Sequence, residues 1–290
     1  MKILTDTTVG TIQLGDRTLR RLGFGAMRIS SARNVEGVRD REEARRLCRR
    51  LVERGVQFID TANIYGYGES EQILAEALQP FAKDLLIATK AGYRPGKILP
   101  GHQALPALGH PDHISEECDK SLARLGTDSI ELYQLHVPDP NYPYADTLGA
   151  FALLQQAGKV QYIGVSNVSV EQLEIARSTC EIVSVQNRYN VGDRDSEAIL
   201  ATCERHGIVF LPWAPILIRS PEADAAISNI AKRHGASPQQ VALRWLLHRS
   251  PSLLPIPGTS RMTHLDENID AAWLDLTPDE LAKIDALGEF

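Results

Sequence analysis

The chain has 290 residues, of which 43% are hydrophobic and 23% are charged, and its net charge at pH 7 is −6. This composition is that of an ordinary soluble globular protein. The negative balance gives no electrostatic reason to expect nucleic acid or an anionic membrane as a partner. The length is enough for one large core, and we predict a single domain over residues 1–290.

Targeting signals and metal-binding patterns are missing from the sequence. The N-terminal stretch MKILTDTTVGTIQLG has no apolar run long enough for a signal peptide, and no window approaches a membrane span. The four cysteines, at positions 48, 118, 180 and 203, are far apart and lack metal-ligand spacing. We therefore expect reduced cysteines, no metal and a cytoplasmic location. For the oligomeric state we expect a monomer or a weak homo-oligomer.

Short apolar runs alternate along the chain with amphipathic segments of helical period. A hairpin around Gly15 and Asp16 comes first, where it would plug the bottom of a barrel. Eight strands are predicted at 21–27, 57–62, 85–90, 130–136, 162–167, 182–189, 208–214 and 253–258. Helices are predicted at 40–55, 69–80, 113–126, 144–158, 169–178, 195–207, 237–250 and 277–288. Most of the strands are continuous apolar runs, as parallel strands buried on both faces are.

This alternation predicts an α/β fold, a (β/α)8 TIM barrel with an N-terminal hairpin plug and extra helices. The alternative is a doubly wound open sheet, which would carry G-x-G-x-x-G after its first strand. The stretch GFGAMR at 23–28 supplies only the first two glycines, so that fingerprint fails. A loop over 93–112, rich in Gly and Pro, is too long to be a plain connection and is predicted to be a lid.

Ionisable residues stand where several predicted strands end. Asp60 follows the second strand run, Lys90 ends the third, His136 ends the fourth, and Tyr65 lies in the loop after Asp60. In a barrel these strand ends form the active-site face. A lone histidine or aspartate there is more often structural. Several together are harder to explain by packing, because each buried charge needs a partner.

Grouped together, these residues suggest proton donation to a carbonyl. Asp60 and Lys90 would keep each other charged, and the lysine would lower the pKa of the Tyr65 phenol. Tyr65 could then donate a proton near neutral pH. His136 can donate a hydrogen bond to an oxygen that gains negative charge. Since no nucleophile or metal is evident, hydride is the natural second reactant.

Six motifs occur in the order, and near the spacing, that the aldo-keto reductase superfamily uses. They are FIDTANIYGYGESE, ATKAG, ELYQLHVPD, GKVQYIGVSN, VSVQNRYN and IPGTSRMTHLDENI. The chain resembles this family along nearly its whole length. The resemblance implies a catalytic tetrad in which Tyr65 is the general acid and Lys90 lowers its pKa. Asp60 would anchor Lys90, and His136 would orient the carbonyl.

The resemblance also implies NADPH bound across the barrel mouth without a Rossmann fold. Ser166, Asn167 and Gln186 would hold the nicotinamide carboxamide, and Trp213 would stack on the ring. Thr259, Ser260 and Arg261 would receive the adenosine 2′-phosphate, and Glu267 and Asn268 would contact the adenine. The other cofactor-binding residues implied are Met27, Pro215, Leu217, Gly258 and His264.

Two features depart from the family pattern. Many members have Lys near Gly258 and Arg near His264. Both cations are missing here, so Arg261 is the one certain cation of that segment, and NADH stays possible as the cofactor. Leu217 stands where the family usually has glycine against the pyrophosphate, and Arg219 is a candidate substitute.

The substrate is expected to be a small-molecule carbonyl compound, selected by loops. These are the segment 27–37, residues Ile64 and Tyr67, and the lid with Tyr93, Arg94 and His102. Several motifs resemble bacterial members that include pyridoxal reductases, so a pyridoxal reductase and a biosynthetic ketoreductase are both open. Two readings of another class are a cofactor-sensing regulatory subunit resembling potassium-channel β subunits and an idle cofactor- or sugar-binding barrel.

Overall fold

The computed structural model describes residues 2–30, 40–96, 105–218 and 221–288. A short helix α1 (Asp6–Val9) precedes an antiparallel hairpin of β1 (Thr11–Leu14) and β2 (Arg17–Arg20), which confirms the predicted hairpin. Its buried side chains, Leu14 and Leu19, belong to the same apolar cluster as residues from the starts of the barrel strands. The hairpin therefore closes the bottom of the barrel.

Seven parallel strands form a curled sheet in chain order, each paired with the next along the sequence. They are β3 (Phe24–Gly25), β4 (Phe58–Asp60), β5 (Leu86–Ala91), β6 (Ile130–Leu135), β7 (Val160–Ser166), β8 (Ile182–Gln186) and β9 (Val209–Phe210). The first is shorter than predicted, because residues Ala26–Ile29 turn into a 3-10 helix.

The predicted eighth strand, 253–258, closes the barrel without being a regular strand. On one side Leu254 N donates to Phe210 O at 3.0 Å. On the other side Gly23 N donates to Pro255 O at 2.9 Å and Gly25 N donates to Pro257 O at 3.3 Å. The two prolines accept these bonds but have no N–H to return, so the ladder is incomplete. The prediction of the barrel architecture is confirmed. The prediction of a regular strand over 253–258 was wrong.

Helices surround the sheet, as predicted. They are α2 (Arg41–Glu53), α3 (Glu69–Leu78), α4 (Pro111–Leu125), α5 (Tyr144–Gln156), α6 (Val170–Thr179), α7 (Glu197–His206), α8 (Pro221–His234), α9 (Pro238–Arg249), α10 (Met262–Asp270) and α11 (Pro278–Asp285). Helices α1, α8 and α10 were not among the predicted helices. Thr277 caps α11 in a reciprocal capping box with Glu280, as its sequence suggests. Within the described stretches, none of the helices has the length and apolarity that crossing a bilayer requires.

Candidate active site

The polar residues predicted at strand ends meet at one end of the barrel. A cavity of about 640 Å³ opens there, and Asp60, Tyr65 and His136 are among its lining residues. Asp60 is the last residue of β4, and His136 directly follows β6. The carboxyl ends of parallel strands share one edge, which is why residues 76 positions apart in the sequence line the same cavity.

Lys90, on β5, is fully buried next to Asp60. Its Nζ donates to Asp60 Oδ2 at 2.7 Å and to the backbone oxygen of Thr61 at 2.8 Å. Burial alone would lower the pKa of Lys90. The negative charge of Asp60, together with the hydrogen bonds of Asp60 and Tyr65, outweighs burial and raises this pKa. Lys90 is therefore an ammonium ion at neutral pH.

The second oxygen of Asp60 is held by two amides. Gln186 Nε2 donates to Asp60 Oδ1 at 2.8 Å, and Gln134 Nε2 donates to the same atom at 3.2 Å. Gln134 was not among the predicted site residues. Its signal was available, because Gln134 precedes His136 by two residues and alternate residues of a strand share a face. These bonds compensate the cost of burying the carboxylate.

Tyr65 lies in the sharp turn between β4 and α3. Lys90 Nζ is 5.2 Å from the centroid of its ring. Gly66 and Gly68 have φ angles of 62° and 90°, a left-handed conformation that glycine adopts without steric cost. Tyr67, predicted to help select the substrate, is 56% exposed and is not among the residues that line the cavity. The two glycines thus allow the turn that brings Tyr65 next to Lys90.

His136 is positioned by its backbone and by two aromatic rings. Its N–H donates to Ala91 O at 2.7 Å. Its imidazole makes edge contacts with Tyr65 and Tyr93, at centroid distances of 6.0 and 4.8 Å. Burial raises the pKa of Tyr93, whereas Tyr65 lies beside the Lys90 cation, which favours the phenolate.

The predicted lid leaves the barrel as a hairpin-like pair of segments. Leu108 N donates to Gly92 O and Arg94 N to Pro106 O, both at 2.8 Å. Tyr93 and Leu105 of these segments line the cavity. His102 and most of the segment 27–37 lie outside the described residues, so closure of the lid stays a prediction.

The residues predicted to hold the nicotinamide carboxamide also line the cavity, together with Trp213. Ser166 Oγ donates to Gln186 O at 2.6 Å, and Trp213 Nε1 donates to Asn167 Oδ1 at 3.0 Å. These side chains present polar groups beside one aromatic face. The arrangement fits a flat heteroaromatic ring that carries an amide.

The rim of the cavity includes Met27, Pro215, Leu217 and Gly258. A Cβ atom on Gly258 would lie 2.5 Å from Gly25 O, so the two backbones pass too closely for any other residue at 258. Leu217 N donates to Ala214 O at 3.2 Å in a turn where Ala214 has a φ of 52°. Arg219 lies outside the described residues.

The predicted phosphate and adenine residues lie beyond Gly258, at the start of α10 and along it. Arg261 N donates to Thr259 Oγ1 at 3.1 Å, and the side chains of Arg261, His264 and Glu267 are exposed. Asn268 is 5% exposed, and its Nδ2 has no hydrogen-bond partner within the described part of the chain. A buried donor without a partner is costly, so an acceptor from a bound ligand, such as a ring nitrogen of adenine, fits here. Ser260 lies between Thr259 and Arg261 in the same loop.

Comparison with known proteins identifies relatives over almost the whole chain. The sequence model of the Aldo/keto reductase family matches residues 21–289. The chain is 38% identical over 283 residues to pyridoxine 4-dehydrogenase of Escherichia coli, covering 96% of this chain and 98% of that protein. It is also 38% identical over 281 residues to the uncharacterized oxidoreductase C215.11c of Schizosaccharomyces pombe, covering 97% and 90%.

Solved structures share this fold. The thermostable aldo-keto reductase Tm1743, in complex with the inhibitor epalrestat, superimposes with a TM-score of 0.83 at 32% identity, covering 96% of this chain and 99% of that one. An aldo/keto reductase from Klebsiella pneumoniae, in complex with NADP and acetate, gives a TM-score of 0.80 at 25% identity, covering 96% and 94%. The similarity therefore extends over the complete barrel.

Proposed function

Because the chain belongs to the aldo/keto reductase family, we propose that it reduces an aldehyde or ketone to an alcohol with NADPH. The observation that carries this proposal is the buried Lys90–Asp60 pair beneath Tyr65, at the wall of a cavity. The relatives support it, since one is a pyridoxine 4-dehydrogenase and one solved neighbour contains NADP.

When bound, the reduced nicotinamide would supply a hydride to the carbonyl carbon. Tyr65 donates its hydroxyl proton to the carbonyl oxygen, which completes the alcohol and leaves a phenolate. The Lys90 ammonium stabilises that phenolate, and Asp60 keeps Lys90 charged and in place. The nicotinamide would deliver the hydride and Tyr65 the proton, so the atoms and charges balance.

His136 orients the carbonyl by donating a hydrogen bond to its oxygen. Its ring is packed against Tyr65 and Tyr93, which limits the directions in which the imidazole can point. Apolar side chains of the same cavity, among them Ile64 and Leu105, keep water away from the reacting carbonyl. A small aldehyde or ketone with an apolar or aromatic body is the substrate that these walls favour.

The proposal is tested by titrating the purified protein with NADPH and NADH, followed by a panel of aldehydes and ketones that includes pyridoxal. We expect tight NADPH binding and substrate-dependent oxidation of NADPH. Turnover of pyridoxal above other small aldehydes would favour the pyridoxal reductase alternative. Tight binding without turnover of any carbonyl would contradict the enzyme and favour a cofactor sensor.

Replacement Arg261→Ala is expected to weaken NADPH at least about tenfold while changing NADH affinity less than about twofold. A charge-assisted bond to the 2′-phosphate is worth about 1.5–3 kcal/mol, and NADH has no such phosphate. The measurement is a fluorescence titration with both nucleotides. Arg205→Ala, an exposed arginine on α7, is the control. Equal losses for the two nucleotides would mean that the phosphate is held elsewhere.

A further inference from the structure

Trp213 does more in this site than present an aromatic face. Its indole N–H donates to Asn167 Oδ1 at 3.0 Å. The other end of the same amide, Asn167 Nδ2, donates to His136 O at 2.9 Å and to Ser166 Oγ at 3.1 Å. One amide therefore connects the loops after β6, β7 and β9. The bond to Asn167 depends on the indole N–H of Trp213, which phenylalanine lacks.

The orientation of the Asn167 amide is determined at both ends. An indole N–H can only donate, so the Asn167 atom beside it must be the oxygen. A backbone carbonyl can only accept, so the atom beside His136 O must be the nitrogen. Loss of Trp213 Nε1 would remove one of these two constraints and leave Oδ1 without this donor.

The two partners of this bond are themselves held in place. Trp213 N donates to Asn187 O at 3.0 Å, and the guanidinium carbon of Arg188 lies 5.5 Å from the centroid of the indole ring. Asn167 N donates to Gln186 O at 3.0 Å, and Asn167 has a φ of 57°, a conformation that asparagine tolerates better than most residues. These contacts hold both residues in place independently of the bond between their side chains.

We propose that Trp213 is a positioning residue that fixes the Asn167 amide through its indole N–H and, through Asn167, holds the backbone of His136. This inference rests on the proposed function, in which Asn167 faces the carboxamide and His136 faces the carbonyl. The cofactor side and the substrate side of the cavity are then joined by one hydrogen-bonded chain. A change at Trp213 affects both sides beyond the loss of stacking area.

The first test is a double-mutant cycle of Trp213→Phe and Asn167→Gly, measured as NADPH affinity and as KM for the carbonyl. Glycine accepts the left-handed backbone at position 167, and the substitution deletes the amide. Trp213→Phe also loses stacking area, and this loss occurs in both backgrounds. We expect the effect of Trp213→Phe on NADPH affinity and on KM to be about 2–12-fold larger when Asn167 is present than in the Asn167→Gly background, the range of one hydrogen bond.

Trp273→Phe is the matched control of this cycle. Trp273 lies away from the cavity, where Lys2 Nζ is 5.3 Å from its ring centroid. Its replacement should leave NADPH affinity and KM within about twofold of the unmodified protein, since no single hydrogen bond to the site is lost. An effect of Trp213→Phe that is equal in the two backgrounds would overturn the proposal.

The second test needs no cofactor and uses the indole N–H signals of the three tryptophans in the ¹⁵N-labelled protein. We expect the Trp213 signal, assigned from Trp213→Phe, to exchange with solvent about 2–12-fold faster in Asn167→Gly than in the unmodified protein, the range of one hydrogen bond. Trp245, whose Nε1 donates to Asp285 Oδ1 at 2.8 Å, is the internal reference. Unchanged protection of Trp213 in Asn167→Gly would overturn the bond itself.

The two tests separate this inference from the proposed function. If the unmodified protein binds no NADPH, the proposed function fails, and indole exchange still decides whether Trp213 fixes Asn167. If NADPH binds and the carbonyl is reduced but the cycle shows no coupling, only the positioning role of Trp213 fails.

Discussion

Tyr65→Phe is expected to lower kcat for carbonyl reduction by roughly 10²–10⁴-fold, the usual contribution of a positioned general acid. The substitution removes one hydroxyl and keeps the ring that contacts His136 edge-on. The loss should appear at saturating NADPH. NADPH affinity should stay within about twofold of that of the unmodified protein, because removal of the hydroxyl deletes a proton donor but no contact with the cofactor. Stopped-flow or steady-state oxidation of NADPH measures the loss, and fluorescence titration measures the affinity.

The chain offers a matched control in Tyr93, the second tyrosine of the cavity. Its ring is closer to His136 than that of Tyr65, with centroids 4.8 Å apart, but burial raises its pKa. Tyr93→Phe should therefore reduce kcat less than about tenfold, below the range of a general acid. If Tyr65→Phe keeps most of its activity, or if Tyr93→Phe loses more, Tyr65 is not the acid.

The fold was largely predictable because parallel strands buried on both faces leave a strong periodic signal. What the sequence could not supply was the pairing geometry of marginal segments. Residues 253–258 are extended, but Pro255 and Pro257 interrupt their ladder, and β9 shortens to two residues. Helix α8 repeats apolar residues at helical spacing, including Ile227 and Ile230, in a stretch of modest hydrophobicity that the sequence analysis passed over.

At the site, the ionisable residues were predictable because strand ends of a barrel converge. The amide network around them was not. Gln134 and Gln186 both donate to Asp60, and Trp213 donates to Asn167. Such bonds join different strands and loops and depend on side-chain directions that no local pattern encodes. Of these contacts, only that of Gln134 left a trace in the sequence, because Gln134 lies two residues before His136 at the end of β6.

Lys90→Met is expected to lower kcat by a factor comparable to that of Tyr65→Phe, and also to destabilise the fold. The cation that stabilises the Tyr65 phenolate disappears, so the proton becomes harder to donate. Asp60 remains as a buried carboxylate with amide donors but no countercharge. Breaking a buried pair by removing one partner costs about 3–5 kcal/mol, and we expect the free energy of unfolding in urea to fall by that amount.

Two companion variants separate the charge effect from the loss of a lysine. Lys159→Met removes an exposed partner of Asp119 and should leave the free energy of unfolding nearly unchanged. The double variant Asp60→Asn/Lys90→Met removes both buried charges. It should recover part of the stability lost in Lys90→Met, because a buried neutral amide costs less than an unpaired carboxylate. It should recover none of the activity, since Tyr65 still lacks its cation. If Lys90→Met were as stable as Lys159→Met, the Asp60–Lys90 pair would contribute no stability as a buried charge pair, which would contradict the role of Asp60 as the anchor of Lys90.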